Sequence, residues 1–333
     1  MIQVPNLDFE SALRFSQTLN THSIEENETF DFSRVTNCDP FPMLLASAAI
    51  RQQRGKSCVK HCIASNCNNT YAEHMRFYRA TGIALGRNLD ENYGNSNYLP
   101  ITKLDVKSLR EDGIRNLERI QVVLERKSRQ MAIVLSRGNT SFANWLSYVL
   151  LEMMRNIPEH SEADSIWYCA QYWPRHDLVE LAILDEGRGI KNSFLSNSAY
   201  TDSIKDDIDA LNLALEPGVS RTFAPGSCNI DNDEWKNSGY GIYMVSNLCD
   251  RLGGSFIIAS GNSATLLRSG QRTTYDCHLQ GTGIQIRIRP SRIGRYKEIA
   301  QDILNTGEQI AKNGGNRIVS ASKSTRSLFT FED

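Results

Sequence analysis

The chain has 333 residues, 40% hydrophobic and 23% charged, with a formal net charge of −1. This is the composition of an ordinary globular protein, long enough at ~100–200 residues per domain for two cores. A near-neutral charge gives no global attraction to nucleic acid or to an anionic membrane. No apolar run approaches the ~18 residues of a membrane span, and no basic-then-apolar stretch opens the chain. The eight cysteines are scattered, which suits reduced thiols better than a disulfide framework. The expected compartment is therefore the cytoplasm.

In chain order, residues 1–27 read as a short helix and a loop. ETFDFSRV reads as a strand, and Asp39 before Pro40 as the N-cap of a helix that stops at Gly55. SCVKHCIASN reads as a second strand, and residues 70–83 as a second helix with Thr70 as its cap. This β-α-β-α order predicts a smaller N-terminal α/β domain over residues 1–105. Cys58, His61, Cys62 and Cys67 lie close in sequence and are soft ligands, but they match no paired zinc spacing. In a strand, cysteine is simply a small hydrophobe. Residues 87–100 are rich in Asn and Gly and read as a loop.

Residues 106–138 carry apolar positions at helical spacing and predict a connecting helix, broken once. A stronger helix runs from about Phe142 to Glu159. SIWYCAQYW and LVELAILD, joined at Pro174–Asp177, predict a β-hairpin. Residues 191–238 are loop-like, with a helical piece near Asp206–Leu215. SGYGIYMVSNLCDRLGG opens a helix on glycines, SFIIASGNSATLLRS and GTGIQIRIRP are strands, and residues 291–333 form a helix and a mobile tail.

Four features carry chemistry. Glu152, Asn156 and His160 stand four apart and share one helix face, opposite Leu146, Val149, Leu150 and Met153. By itself that is an amphipathic helix. Asp185 ends an apolar strand and is followed by Gly187 and Gly189. A carboxylate there can accept a hydrogen bond from an amino group, and the glycines leave room for a flat ring. Gly239 and Gly241 open a helix, whose bare N–H groups suit an anion. Thr282, after Gly281, begins a strand and can offer its hydroxyl. Each feature alone has a plain structural explanation.

Taken together and in this order, they resemble the Bergerat nucleotide-binding fold of the GHKL superfamily, the group of gyrase, Hsp90, histidine kinases and MutL. The resemblance covers residues 139–290. It implies a C-terminal two-layer α/β sandwich on a mixed, mostly antiparallel sheet, with ATP and Mg²⁺ as ligands. It further implies that Asn156 holds the metal, Glu152 is the general base, and His160 lies near the phosphates. Asp185 and Thr282 would read adenine, with Gly187 and Gly189 beside the ring. Gly239 and Gly241 would open the helix after a lid at 191–238. The N-terminal region resembles STAS domains, from which no phosphoacceptor carries over.

Residues 106–136 contain no histidine, which argues against a sensor histidine kinase. Only about forty residues follow Pro290, too few for the second domain of the gyrase, Hsp90 and MutL branches. The expectation is an ATP-hydrolysing switch that regulates a protein partner or a second copy of the chain. The alternatives are a serine/threonine kinase of the anti-sigma-factor type and a nucleotide-binding adaptor without turnover.

Overall fold

The computed structural model describes residues 1–59, 61–83, 97–221, 238–314, 318–322 and 325. Its architecture is mixed α/β. A parallel sheet of β1 (Ile2–Gln3), β2 (Thr29–Asp31) and β3 (Ile63–Ser65) belongs to the N-terminal region. Around it lie α1 (Phe9–Thr21), α2 (Pro40–Lys56), α3 (Thr70–His74) and α4 (Phe77–Ala80).

β4 (Tyr98–Asp105) leads into α5 (Val106–Asn116), α6 (Ile120–Ser136) and α7 (Thr140–Asn156). The hairpin β5 (Ser165–Trp173) and β6 (Leu178–Asp185) follows, then α8 (Gly189–Leu195), α9 (Asp207–Ala214) and α10 (Gly241–Arg251). β7 (Ser255–Arg268), β8 (Gln271–Ile288) and α11 (Tyr296–Asn313) close the chain. The larger sheet is antiparallel, in the order β4-β5-β6-β8-β7.

That sheet is covered on both faces, and strand alternation assigns residues to each. From β6, Val179, Leu181 and Ile183 enter a core shared with α7 and α10. Ala182 and Leu184 enter a second core shared with α1 and α2. This explains why LVELAILD is a nearly continuous apolar run, since a strand buried on both sides does not alternate polar and apolar residues. The second face is covered by elements of the N-terminal region, an arrangement with no signal in sequence spacing.

The split helix over residues 106–136 is seen, broken where Leu117 takes a left-handed conformation at φ 56°. Several local expectations need correction. Tyr98 to Pro100, read as loop, begin β4, an edge strand where Pro100 removes no essential ladder bond. The rest of that loop, residues 87–96, lies outside the described residues. The helix expected over 70–83 is two short ones, interrupted at Arg76 (φ 59°). Asn69, not Thr70, caps the first by accepting from Ala72 N at 2.9 Å. The strand expected over residues 57–66 is only Ile63–Ser65, which leaves Cys62 outside it, and Cys58 is left-handed (φ 53°). Among the described residues no group of three or more His, Cys, Asp or Glu side chains converges as a metal site. No helix among them is long and apolar enough to cross a membrane.

Asp39 precedes α2 as expected but makes no side-chain cap bond to it. The cap comes from across the molecule. Glu180 on β6, fully buried, accepts from Phe41 N at 2.9 Å. It also accepts from Gln285 Nε2 at 2.8 Å and Arg287 Nε at 2.7 Å. Arg287 reaches on to Asp39 at 2.7 Å. One carboxylate thus fastens the start of α2 to two strands and sits at the positive end of the helix dipole. Toward the C-terminus, Ile318 N donates to Gly218 O at 2.9 Å, and Tyr240 Oη donates to Ile318 O and Val319 O at 3.1 and 2.9 Å.

Glu180→Ala leaves the Phe41 N–H and the Gln285 amide without their buried acceptor and takes from Arg287 one of its two carboxylate partners. It is expected to lower the unfolding free energy by about 3–5 kcal/mol, read from urea denaturation. Glu180→Gln, which can still accept a hydrogen bond, is expected to lose less.

Candidate functional site

The site begins with the register between β6 and β8. Ile183 pairs with Ile284, and Asp185 pairs with Thr282. Asp185 follows Ile183 by two, so its carboxyl emerges on the same face, where the apolar run ends. There it borders a cavity of about 840 Å³, counting its open mouth. The walls are mostly apolar and include Met153, Ile157, Ile190, Phe194, Val219 and Ile242.

α7 supplies another wall. Asn139 caps it, accepting from Phe142 N at 2.9 Å, and its apolar side packs into the core. The helix widens into a π turn at Ile157–Ser161 that contains Pro158. A ring without an N–H would break a regular turn, and a wider one accommodates it. Asn156, His160 and Ser161 all border the cavity.

Of the residues singled out from the sequence, Asn156, His160, Asp185, Gly189, Gly239, Gly241 and Thr282 line this one cavity. Glu152 and Gly187 do not. Gly187 supports the wall from behind, donating its N–H to Asp185 Oδ1 at 2.9 Å. Glu152 is only 2% exposed, and Arg155 Nη1 donates to its Oε1 at 3.3 Å. Its other oxygen backs onto Gly241, where a Cβ would stand 2.4 Å away. Gly239 is required by its backbone: φ is +73°, and a Cβ would lie 2.2 Å from Val219 O. Residues 222–237 of the expected lid lie outside the described residues. Its earlier part contains α8, read from the sequence as loop.

The electrostatics follow from burial. Asp185 is pushed up to about 7 by loss of water, against the opposing hydrogen bonds from Gly187, Ser161 and Thr282. His160 is pushed down to about 4 by burial, with Arg221 and Arg155 adding to the effect, so it is neutral at pH 7. Arg221 also borders the cavity and donates to Glu159 O at 2.9 Å. Arg221, Ser161 and Ser220 were not anticipated. They sit in a wide turn and an irregular stretch, where spacing carries no information. Ser260, also unforeseen, links two walls: it accepts from Ile190 N at 2.9 Å and donates to Gly281 O at 2.7 Å.

With apolar walls, a carboxyl and a hydroxyl side by side, and the glycine-opened start of α10 together with Arg221, the cavity suits a ligand with a polar ring and an anionic tail. No protein-family model, no curated protein and no solved structure matches the chain.

The shifts of Asp185 and His160 have opposite signs in stability. Asp185 holds its proton more tightly folded than unfolded, so its contribution is present at low pH and is lost as pH rises from about 4 to about 7. The His160 contribution is lost as pH falls from the unfolded value near 6.5 to about 4. Asp185→Asn removes only the first. Thermal denaturation is expected to show the variant gaining on the wild type as pH rises from 4 to 7, with a constant difference above that. A pH-independent difference would contradict the buried carboxyl.

Proposed function

We propose that the cavity is a nucleotide site of the Bergerat kind in a GHKL-type protein. It binds ATP with Mg²⁺ and uses binding and slow hydrolysis as a switch acting on a protein partner or a second copy of the chain. The observation that carries this reading is convergence. Residues from four separate stretches of sequence, 156–160, 185–189, 239–241 and 282, meet at one cavity.

Each has a task the ligand's chemistry explains. Asp185 accepts from the purine amino group, and Thr282 adds a hydroxyl beside it. The N–H groups at the start of α10 face phosphate oxygens, with Arg221 supplying positive charge. His160, neutral in its buried place, donates a hydrogen bond and gains proton affinity beside a polyanion. Asn156 would hold Mg²⁺, which neutralises phosphate charge.

One observation favours a second reading, in which nucleotide is held without turnover. A general base must come within hydrogen-bond reach of the attacking water. Glu152 is instead buried against Arg155 and behind Gly241, outside the cavity wall.

ATP with Mg²⁺ at a hundredfold excess over Kd is expected to stabilise the protein by ~2.7 kcal/mol, read by thermal shift. Asn156→Ala should lose the magnesium-dependent part. Absence of binding heat in calorimetry, with a normal circular dichroism spectrum, would sink the proposal.

Labelled ATP separates the modes of action. Free phosphate that disappears in Glu152→Ala, with affinity retained, supports the switch. Label on a partner protein supports a kinase, and binding without either product supports the second reading.

A further inference from the structure

Helix α2 belongs to the N-terminal region, yet two consecutive side chains on it reach the Asp185–Thr282 corner from outside the cavity. Arg51 Nε lies 3.3 Å from both carboxylate oxygens of Glu186, and its Nη2 lies 3.3 Å from Oε2. The same guanidinium stacks 3.9 Å over the Trp167 ring, donates to Ser47 Oγ at 3.2 Å and donates to the Ala80 carbonyl. Trp167 is the register partner of Leu184. Gln52 makes a second hold. Its Nε2 donates to Gln280 O at 2.8 Å, and its Oε1 accepts from Gln280 N at 3.0 Å.

Glu186 directly follows Asp185, and Gln280 is separated from Thr282 by Gly281 alone. The turn after β6 and the Gln280–Thr282 stretch inside β8, which together form the corner, are therefore gripped from one helix. Gly281 packs directly behind, where a Cβ would stand 2.0 Å from the Asp185 carbonyl, so the corner has little slack. An exposed ion pair is worth little. This guanidinium, however, is fixed by a stacked ring and by acceptors on its own helix, on α4 and in the turn after β6. Neither Arg51 nor Gln52 borders the cavity.

The geometry points to Arg51 and Gln52 as positioning residues for the purine-reading corner, through which the N-terminal region sets how tightly the nucleotide base is held. This rests on the nucleotide reading above. It follows that whatever displaces α2 weakens the grip on the base and leaves the grip on the triphosphate unchanged. The planar fork of arginine matters here, because a lysine ammonium has no flat face to lie on Trp167 and no two parallel N–H groups to offer Glu186.

The test uses the full chain and two ligands, Mg-ATP and Mg-tripolyphosphate, the second lacking any base. Arg51→Gln is expected to weaken Mg-ATP by about tenfold with tripolyphosphate affinity unchanged. Glu186→Gln should match it, and the double variant should lose no more than either alone. Arg51→Lys should fail to restore affinity, and Gln52→Ala should shift the same ratio. Arg126→Ala, which breaks the two ion pairs from α6 to Asp112 and Glu118, serves as the stability control and should leave the ratio at the wild-type value. Equal losses for both ligands, or none for either, would overturn the inference while leaving the nucleotide site standing. Failure of the wild-type protein to bind Mg-ATP would instead remove the nucleotide reading, and this inference with it.

Discussion

Strand β6 is buried on both faces, and its register against β8 sets two polar pairs back to back in an apolar sheet. On one face Asp185 stands opposite Thr282 at the rim of the cavity. On the other, Glu180 stands opposite Arg287 and caps α2. A slip of one residue would exchange the faces and place Glu180 in the apolar core with α7 and α10. The register is thereby held by both units at once: by aliphatic residues on the inner face, and by a buried carboxylate with three donors on the other. The cavity and the docking of the N-terminal region are two consequences of one strand pairing.

Burial works in opposite directions on the carboxyl and the imidazole of the cavity. Asp185 is raised to about 7 and His160 is lowered to about 4, so in each the charged form is disfavoured relative to the free side chain. Groups held this way are costly to ionise and respond strongly to a ligand that brings charge or donors of its own. Beside them, Arg155 is almost completely buried and is kept charged by Glu152 and Glu159, so this guanidinium is paired within the wall while Arg221 borders the cavity itself.

α2 joins these two themes. Its start is capped by Glu180, and its last turns reach Glu186 and Gln280. It therefore spans the back of β6 and β8 from the sheet's buried polar pair to the corner of the cavity. A rigid helix fixed at both ends can carry a displacement from the N-terminal region to the cavity wall without any contact with the ligand.

Much of this was legible in the residues. The polar stripe of Glu152, Asn156 and His160 on an apolar helix, the hairpin ending in Asp185, and the glycine-opened α10 are local patterns, and helical and strand periodicities report local patterns faithfully. So is the break between α5 and α6. The sequence could name Asp185 as a strand-end group, but it read Thr282 as the start of a strand, whereas β8 begins at Gln271 and carries Thr282 in its interior, beside the irregular pairing with β7 near Gly261. That Asp185 and Thr282 face each other was decided by the pairing of strands about a hundred residues apart, which no local spacing encodes. The same holds for Glu180. In the sequence it is a lone charge inside an apolar strand, and only the packing of α2 turns it into a helix cap. β4 was hidden by its proline, which an edge position tolerates, and Glu152 was drawn away from the cavity by Arg155 from the next turn. Sequence alone determined which residues have the chemistry to act, because that is a property of side chains and their nearest neighbours. The tertiary structure decided which of them meet and which are turned inward, because burial and strand register depend on contacts made across the whole chain.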